Sequence, residues 1–214
     1  MNRQRITRLR DLLGHFRTTV FSPDDLTLVK GSPGERRTWL DDLLVDLHPR
    51  NQSLRAEVDR VLRQRNALLK QARGRLTPEV EATLEVWDAK LAEAGEALAA
   101  ARTEALVALE PLAAVVSDRL TSGRSTLTAT PVADWTAEGL AAALHRVRDD
   151  DLRRGMTTVG PQRDDVKLTL DGMPARTHAS QGEQRSVALA LRLAGHRLVA
   201  ERTGSSPMVL LDDV

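Results

Sequence analysis

The sequence predicts an α/β fold whose sheet-forming parts lie towards both ends of the chain, separated by a long helical insertion. Near the start, residues 18–21 are β-branched and aromatic, the composition of a strand. Residues 49–121 instead carry apolar side chains at helical steps of three and four, on a surface rich in Glu, Arg and Ala. Towards the end, residues 187–199 predict a helix, and an apolar strand at residues 208–211 follows it.

The first 48 residues predict two short helices around one strand. Residues 6–13 form a helical pattern that a glycine ends. The turn residues 22–25 then break the strand that precedes them. Ser32 begins the next helix, because Pro33 occupies the first helical position and Glu35 completes a capping box.

That second helix should bury one apolar face. Its apolar residues are Trp39, Leu40, Leu43, Leu44 and Leu47. Arg36 and Arg37 precede them and allow two interpretations of equal weight. They form either a solvated helix face or a salt-bridge or phosphate contact near a nucleotide.

The helical insertion contains at least two helices. One covers residues 54–69, and a second begins at Thr77 and Pro78 and has a coiled-coil-like seam over residues 80–98. Pro111 is a point where this second helix would kink. Periodicity alone allows either a projecting arm or a plain helical subdomain.

The chain then returns to strands. Residues 125–132 alternate as a possible strand, a further helix begins at Thr136, and residues 166–170 alternate as another strand. Asp171 and Gly172 form a hairpin turn, after which a return strand should lead directly to Ser180.

The helix start at Ser180 has the features of a phosphate-binding site. Ser180 is a suitable N-cap, and Glu183 three residues later completes a capping box. A helix start presents unpaired backbone N–H groups and the positive end of the helix dipole. Gly182 in the first turn leaves room for a bulky anion to approach the backbone. The plain alternative is a capped helix that leads to a core strand. The apolar face of this helix comprises Val187, Leu191, Ala194 and Leu198, widened by Leu189 and Leu193.

Two carboxylates follow the last predicted strand. The continuous apolar run Met208–Leu211 indicates a strand buried on both faces. Ligands of open α/β sheets bind at the carboxyl ends of strands, which is where Asp212 and Asp213 emerge. A carboxylate there holds Mg²⁺ directly or through water, and a second one orients and deprotonates an attacking water.

Composition limits the function classes. The chain has 214 residues, 41% hydrophobic residues and a net charge of +1, so a nucleic-acid surface would have to be a local patch. It has no cysteine, which excludes disulfides, thiolate metal sites and cysteine nucleophiles. No apolar run approaches the roughly 18 residues of a membrane span. We therefore expect a cytoplasmic protein.

The C-terminal motifs resemble those of a known class of ATPases. The order Ser-x-Gly-Glu, helix, four apolar residues and Asp-Asp resembles the signature helix and Walker B strand of ABC-type ATPases. Within that class, residues 180–186 resemble the RecF family of DNA replication, repair and recombination proteins. Residues 23–41 resemble a second signature of that family, with Trp39 where the family usually has Phe or Tyr. Residues 160–165 resemble a third, with Gln162 in place of a histidine.

The resemblance implies an α/β fold. This fold would be an incomplete ABC-type P-loop ATPase lobe into which an α-helical arm domain is inserted. Residues 1–48 and 155–214 would belong to the lobe, and residues 49–154 to the mainly helical arm, with a possible strand at 125–132. ATP and Mg²⁺ are the implied cofactors. The nucleotide-binding residues would be Ser180, Gln181, Gly182 and Glu183, with Ser180 and Gly182 reaching the γ-phosphate held by a second subunit. Asp212 would support Mg²⁺, through water, and Asp213 would be catalytic.

The implied function is ATP-dependent binding to DNA at single-strand gaps by an ATP-dependent homodimer. It would serve DNA repair, recombination, replication and the SOS response, with other recombination-mediator proteins as partners and no membrane.

The family is one of ATPases, but we expect the chain alone neither to bind ATP tightly nor to hydrolyse it, because an ABC-type ATPase also needs a Gly-x-x-x-x-Gly-Lys-Ser/Thr loop. The chain contains no Gly-Lys dipeptide. We therefore expect it to correspond to an internal part of a RecF protein. Two other classes remain. One is a different ABC ATPase with a coiled-coil insertion, such as a chromosome-maintenance or transporter subunit. The other is a non-catalytic helical interaction protein whose acidic pair is a solvated strand end.

Overall fold

The computed structural model describes residues 18–205 and 207–212. They divide into two compact units. The first unit contains residues 18–50, 105–130 and 167–212, and the second contains residues 51–104 and 131–166. In chain order the elements are β1 (Thr18–Phe21), α1 (Thr27–Lys30), α2 (Pro33–Leu47), α3 (Gln52–Ala72), α4 (Pro78–Thr121), β2 (Leu127–Val132), α5 (Leu140–Arg146), α6 (Arg148–Arg154), β3 (Asp165–Leu170), β4 (Met173–Pro174), α7 (Ala175–His178), α8 (Gln181–Thr203) and β5 (Met208–Leu211). The helix predicted over residues 6–13 lies outside the described residues.

The first unit contains a parallel strand pair formed by distant parts of the chain. β1 pairs with β5, and Thr18 lies opposite Met208 at one end and Phe21 opposite Leu211 at the other. A second sheet has the order β2-β3-β4. The tight turn between β3 and β4 is confirmed: Asp171 and Gly172 have φ values of 51° and 77°, as a two-residue hairpin requires.

The core of the first unit lies between α8 and α2. The predicted apolar face of α8 is buried, and small residues let the two helices approach closely. A Cβ placed on Gly195 would lie 3.5 Å from the Leu43 side chain. The buried residues of α8 include Val187, Ala188, Ala190, Leu191, Ala194 and Leu198, whereas Leu189 and Leu193 are half-buried. The partner face of α2 buries Trp39, Leu40, Leu43 and Leu44.

The second unit is organised around a fully buried arginine. Arg65 on α3 has no exposed surface. Its Nε donates to Asp88 on α4 at 2.7 Å, and its Nη1 donates to Asp151 on α6 at 2.6 Å. Arg148 Nη2 also donates to Asp88, at 3.1 Å. Because buried charges are tolerated only when they are paired and hydrogen-bonded, this network fixes α3, α4 and α6 against one another.

The prediction that residues 208–211 form a strand buried on both faces is wrong. β5 forms, but Met208 is 52% exposed and Leu210 is 48% exposed. A strand is buried on both faces only when other elements cover both sides of it. Among the described residues, β1 is the strand that pairs with β5, and the side chains of Met208, Val209 and Leu210 remain exposed.

The return strand before Ser180 is shorter than predicted. β4 has only two residues, Met173 and Pro174, and α7 lies between it and Ser180. Proline has no N–H group to donate to a longer ladder, which accounts for the early end.

Two predicted helix starts also differ from the structure. The helix expected at Thr136 begins at Leu140, because Gly139 has φ 84° and ψ 153°, outside the helical region. The capping box at Ser32 is absent, since Ser32 makes no side-chain cap bond. Proline in the first turn supplies that start instead, because its fixed φ suits a helix. α4 continues past Pro111 to Thr121.

Candidate nucleotide and metal site

The first turn of α8 is closed by the capping box that the sequence predicts. The Ser180 N–H donates to Glu183 Oε2 at 2.7 Å, and the Glu183 N–H donates to Ser180 Oγ at 3.3 Å. The hydrogen bond from the Ser180 N–H is the main cause that lowers the pKa of Glu183, and the hydrogen bond with the Ser180 side chain acts in the same direction. Burial and the negative charge of Asp171 act in the opposite direction. Glu183 is therefore an ionised capping group at neutral pH.

The space in front of this helix start is open. Ser180, Gln181 and Gly182 are exposed. A Cβ built on Gly182 would meet no atom of the described residues within 4 Å, and its φ lies outside the left-handed region. Neither packing nor backbone conformation within the described part of the chain therefore requires glycine at this position. The arrangement leaves backbone N–H groups accessible to a ligand from outside.

A short segment holds the helix start in place from behind. Gln184 is only 4% exposed, and its Nε2 donates to the backbone oxygens of Ala175 at 3.2 Å and of Arg176 at 3.1 Å, both in α7. The β3–β4 turn is also fixed, because Asp171 Oδ1 accepts the Thr126 N–H at 2.7 Å. The first turn of α8 is therefore supported on a rigid base.

An ion pair joins α8 to the segment that follows β1. Arg192 Nε donates to Asp25 Oδ1 at 2.7 Å, across 167 residues of sequence. The other Asp25 oxygen, Oδ2, accepts the Ser22 N–H at 2.8 Å. Asp25 is buried, so removal of Arg192 would leave a carboxylate without its counter-ion.

Arg36 does not lie on a solvated helix face, which was one of the two interpretations of the sequence. Its guanidinium is buried, and Nη1 donates to the backbone oxygens of Leu28 at 3.2 Å and Gly31 at 3.1 Å. It therefore supports the C-terminal end of α1. Arg37 is half-buried.

Asp212 lies at the carboxyl end of β5, where the sequence places it. Its N–H donates to the Phe21 oxygen at 2.9 Å, which extends the pairing with β1, and the residue is exposed. A single exposed carboxylate at a strand end suits Mg²⁺, which keeps several waters and takes one or two carboxylates. Asp213 lies outside the described residues. Within the described part of the chain, no group of three or more His, Asp or Glu side chains forms a metal cluster.

The predicted nucleotide site at Ser180 and the predicted metal site at Asp212 are linked through the end of β1 and the turn that follows it. Phe21 accepts the Asp212 N–H, and four residues later Asp25 pairs with Arg192 of α8. Sequence reasoning missed Asp25 and Arg192, which make this connection, and it also missed Gln184, which joins α8 to α7. The available signal was the charged side chain of Arg192, which lies between Leu191 and Leu193 of the predicted apolar face, because such a residue needs a partner when the helix packs.

Searches of known proteins find close relatives for the whole chain. No protein-family model matches it. The chain is 41% identical, over 251 residues, to the DNA replication and repair protein RecF of Renibacterium salmoninarum, and covers 63% of that protein. It is 43% identical, over 228 residues, to the protein of the same name from Streptomyces avermitilis, and covers 61% of it. The whole chain lies within each alignment. It thus spans about six tenths of the length of these curated relatives.

Solved structures agree with the sequence comparison. The recombination mediator protein RecF with ATPrS, in the RecFOR pathway, matches 98% of the chain at a TM-score of 0.89 and 30% identity, with 58% of that protein covered. The ATP form matches 95% of the chain at a TM-score of 0.88. The predicted fold class, an incomplete ABC-type α/β lobe with an inserted helical arm, is confirmed. None of the described helices combines the length and the apolar character that crossing a bilayer needs.

Proposed function

The chain belongs to the RecF family, and we propose that it supplies the signature helix and the Walker B strand of an ATPase that binds DNA in an ATP-dependent manner. The whole protein would act in DNA repair, recombination and replication in the cytoplasm, including the SOS response. Its DNA ligand would be a single-strand gap. The observation that carries the proposal is the open first turn of α8 at Ser180 and Gly182, which no part of the described chain occupies.

The nucleotide would be held between two subunits. Ser180, Gln181, Gly182 and Glu183 would face the γ-phosphate that the glycine-rich loop of the other subunit holds. The support is the exposed helix start, whose N–H groups and dipole favour an anion. Glu183 carries a negative charge, but its carboxylate is turned back onto the Ser180 N–H at 2.7 Å. Its role is therefore to set the geometry of the first turn.

Mg²⁺ would sit near the end of β5. Asp212 is the group that would hold it, through water, because its exposed carboxylate follows the last residue of the strand. Bound Mg²⁺ would supply charge neutralisation at the phosphates. Asp213, the next residue, would orient and deprotonate the attacking water.

The domain assignment follows from the same family membership. Residues 1–48 and 155–214 would form parts of the ATPase lobe, and residues 49–154 the helical arm. The support is the parallel pairing of β1 with β5, which joins the two segments assigned to the lobe. Other recombination-mediator proteins would be partners, as the RecFOR pathway named for the similar structures suggests.

DNA binding by the full-length protein tests the proposal. Fluorescence anisotropy with gapped duplex DNA is measured without nucleotide, with a slowly hydrolysed ATP analogue and Mg²⁺, and with the analogue and a chelator. We expect tight binding only with both nucleotide and Mg²⁺. Equal affinity in all three conditions would contradict an ATP-dependent DNA-binding function.

A further inference from the structure

We propose that the end of the helical unit where α3 and α6 terminate binds the phosphate backbone of nucleic acid. We call this surface the basic tip, and define it as Lys70, Arg73, Arg75, Arg153 and Arg154. All five side chains are exposed. The proposal rests on the DNA-binding function proposed above and assigns a surface to it, since a chain with a net charge of only +1 needs a local basic patch.

The packing of the two helix ends brings these residues together. A Cβ placed on Gly155, just after α6, would lie 3.5 Å from Lys70 Cγ on α3. A Cβ placed on Gly74 would lie 4.0 Å from the Leu152 oxygen of α6. Beneath the surface, Leu69, Ala72, Leu84 and Leu152 form one buried cluster. The basic residues on the two segments therefore share one end of the unit.

Three of the five cations have no side-chain partner within the described part of the chain. Lys70, Arg73 and Arg75 lie within six residues of sequence and form no ion pair there. Arg153 and Arg154 both pair with Asp150, at 3.0 Å and 2.8 Å, on the surface. Exposed pairs of this kind are weak, so a phosphate competes with Asp150 effectively. Glu79 lies across the turn at the start of α4, and a hydrogen bond with Thr77 lowers its pKa.

Arg73 has a backbone conformation that is uncommon for arginine. Arg73 has φ 48° and ψ 42°, the left-handed conformation that ends α3. Glycine or asparagine is the usual residue at such a helix end, because a Cβ is disfavoured there. Glycine at position 73 should therefore be at least as stable as arginine.

The chemistry of the basic tip favours phosphate. Four of its five cations are arginines, whose planar fork binds phosphate oxygens through two hydrogen bonds. Lys70, Arg153 and Arg154 lie on helix ends, and Arg73 and Arg75 lie in the turn that follows α3. We commit to nucleic acid as the ligand, and an acidic protein segment is an outcome of the test.

The test uses the full-length protein and a duplex DNA with a single-strand gap. The main variant combines Lys70→Gln, Arg73→Gly and Arg75→Gln. Arg73→Gly is also made alone, because glycine adopts a positive φ readily and should keep or raise the melting temperature. The control is Arg63→Gln, an exposed cation of α3 without a side-chain partner among the described residues and about 10 Å from Lys70 along the helix axis.

Affinity is measured over a range of salt concentrations, with and without an ATP analogue and Mg²⁺. We expect the triple variant to bind at least about tenfold more weakly in both conditions. The slope of log affinity against log salt should fall by about 0.9 for each duplex phosphate that the variant no longer neutralises. Arg73→Gly should bind DNA more weakly than the wild type while its stability is kept, and Arg63→Gln should match the wild type.

The outcomes separate this inference from the proposed function. Unchanged affinity and salt slope in the triple variant overturn the basic tip and leave ATP-dependent DNA binding intact. If nucleotide has no effect on the wild type but the triple variant still binds DNA weakly, the basic tip stands and the proposed function fails. If the triple variant binds a poly-glutamate peptide more weakly but keeps its affinity for DNA, the surface binds acidic protein, and the assignment to nucleic acid is wrong.

Discussion

Gly182→Ala should make the chain more stable and the nucleotide-dependent dimer weaker. Gly182 lies in the first turn of α8 and has an ordinary helical backbone, and a Cβ there would lie more than 4 Å from every other part of the described chain that packs around the helix. Alanine therefore fits the isolated chain without strain. Glycine inside a helix costs about 0.5–1 kcal/mol relative to alanine, so the substitution should stabilise the first unit by up to this amount.

The same methyl group should obstruct the nucleotide. It would project into the open space in front of the helix start, which the proposed function assigns to the γ-phosphate of the other subunit. We expect dimerisation with an ATP analogue to weaken at least tenfold, which corresponds to about 1.4 kcal/mol. A gain in stability together with weaker assembly would show that glycine serves the interface and not the fold.

Gly34→Ala is the matched control. Gly34 also occupies the first turn of a helix, α2, again outside the left-handed region. Its added Cβ would lie 3.3 Å from Ser32 Oγ, a side chain that can move. Urea unfolding of the 214-residue chain gives the stability of both variants, and light scattering of the full-length protein gives the dimer. Destabilisation by Gly182→Ala, or a dimer as strong as that of the wild type, would refute the reasoning.

Two further predictions concern catalysis and the helical unit. In the full-length protein, Asp213→Asn should leave ATP binding intact and slow hydrolysis about 10²–10⁴-fold, because the attacking water loses its base; turnover equal to that of the wild type would remove Asp213 from the mechanism. Arg65→Met should destabilise the helical unit by about 3–5 kcal/mol, since it leaves Asp151 buried without a counter-ion. Circular dichroism in urea measures that destabilisation, and the exposed Arg60→Met on the same helix should not change the midpoint.

The parts of the fold that short-range chemistry determines could be predicted from sequence. The capping box of Ser180 and Glu183 forms as its spacing indicates, because both groups lie within one helical turn. The turn at Asp171 and Gly172 also forms, since few residues accept a positive φ at two successive positions.

Contacts between distant segments could not be predicted in the same way. The pairing of Arg192 with Asp25 spans 167 residues, and no local pattern specifies such a partner. The burial of Arg65 was not predicted, because the spacing of apolar residues in α3 does not show which distant carboxylates would pair with an arginine on that face. The exposure of β5 was missed for a related reason: an apolar run shows what a strand could bury, whereas its neighbours determine what it does bury.

Dimerisation of the full-length protein carrying Ser180→Arg tests the central claim most directly. The account predicts a folded monomer that no longer dimerises with a slowly hydrolysed ATP analogue, because the long side chain fills the space in front of α8. Ser180→Ala removes the same cap, worth about 1 kcal/mol, without adding bulk, and should dimerise more strongly than Ser180→Arg. A folded Ser180→Arg protein that dimerises as well as the wild type would contradict the claim that the first turn of α8 meets a nucleotide held by the other subunit.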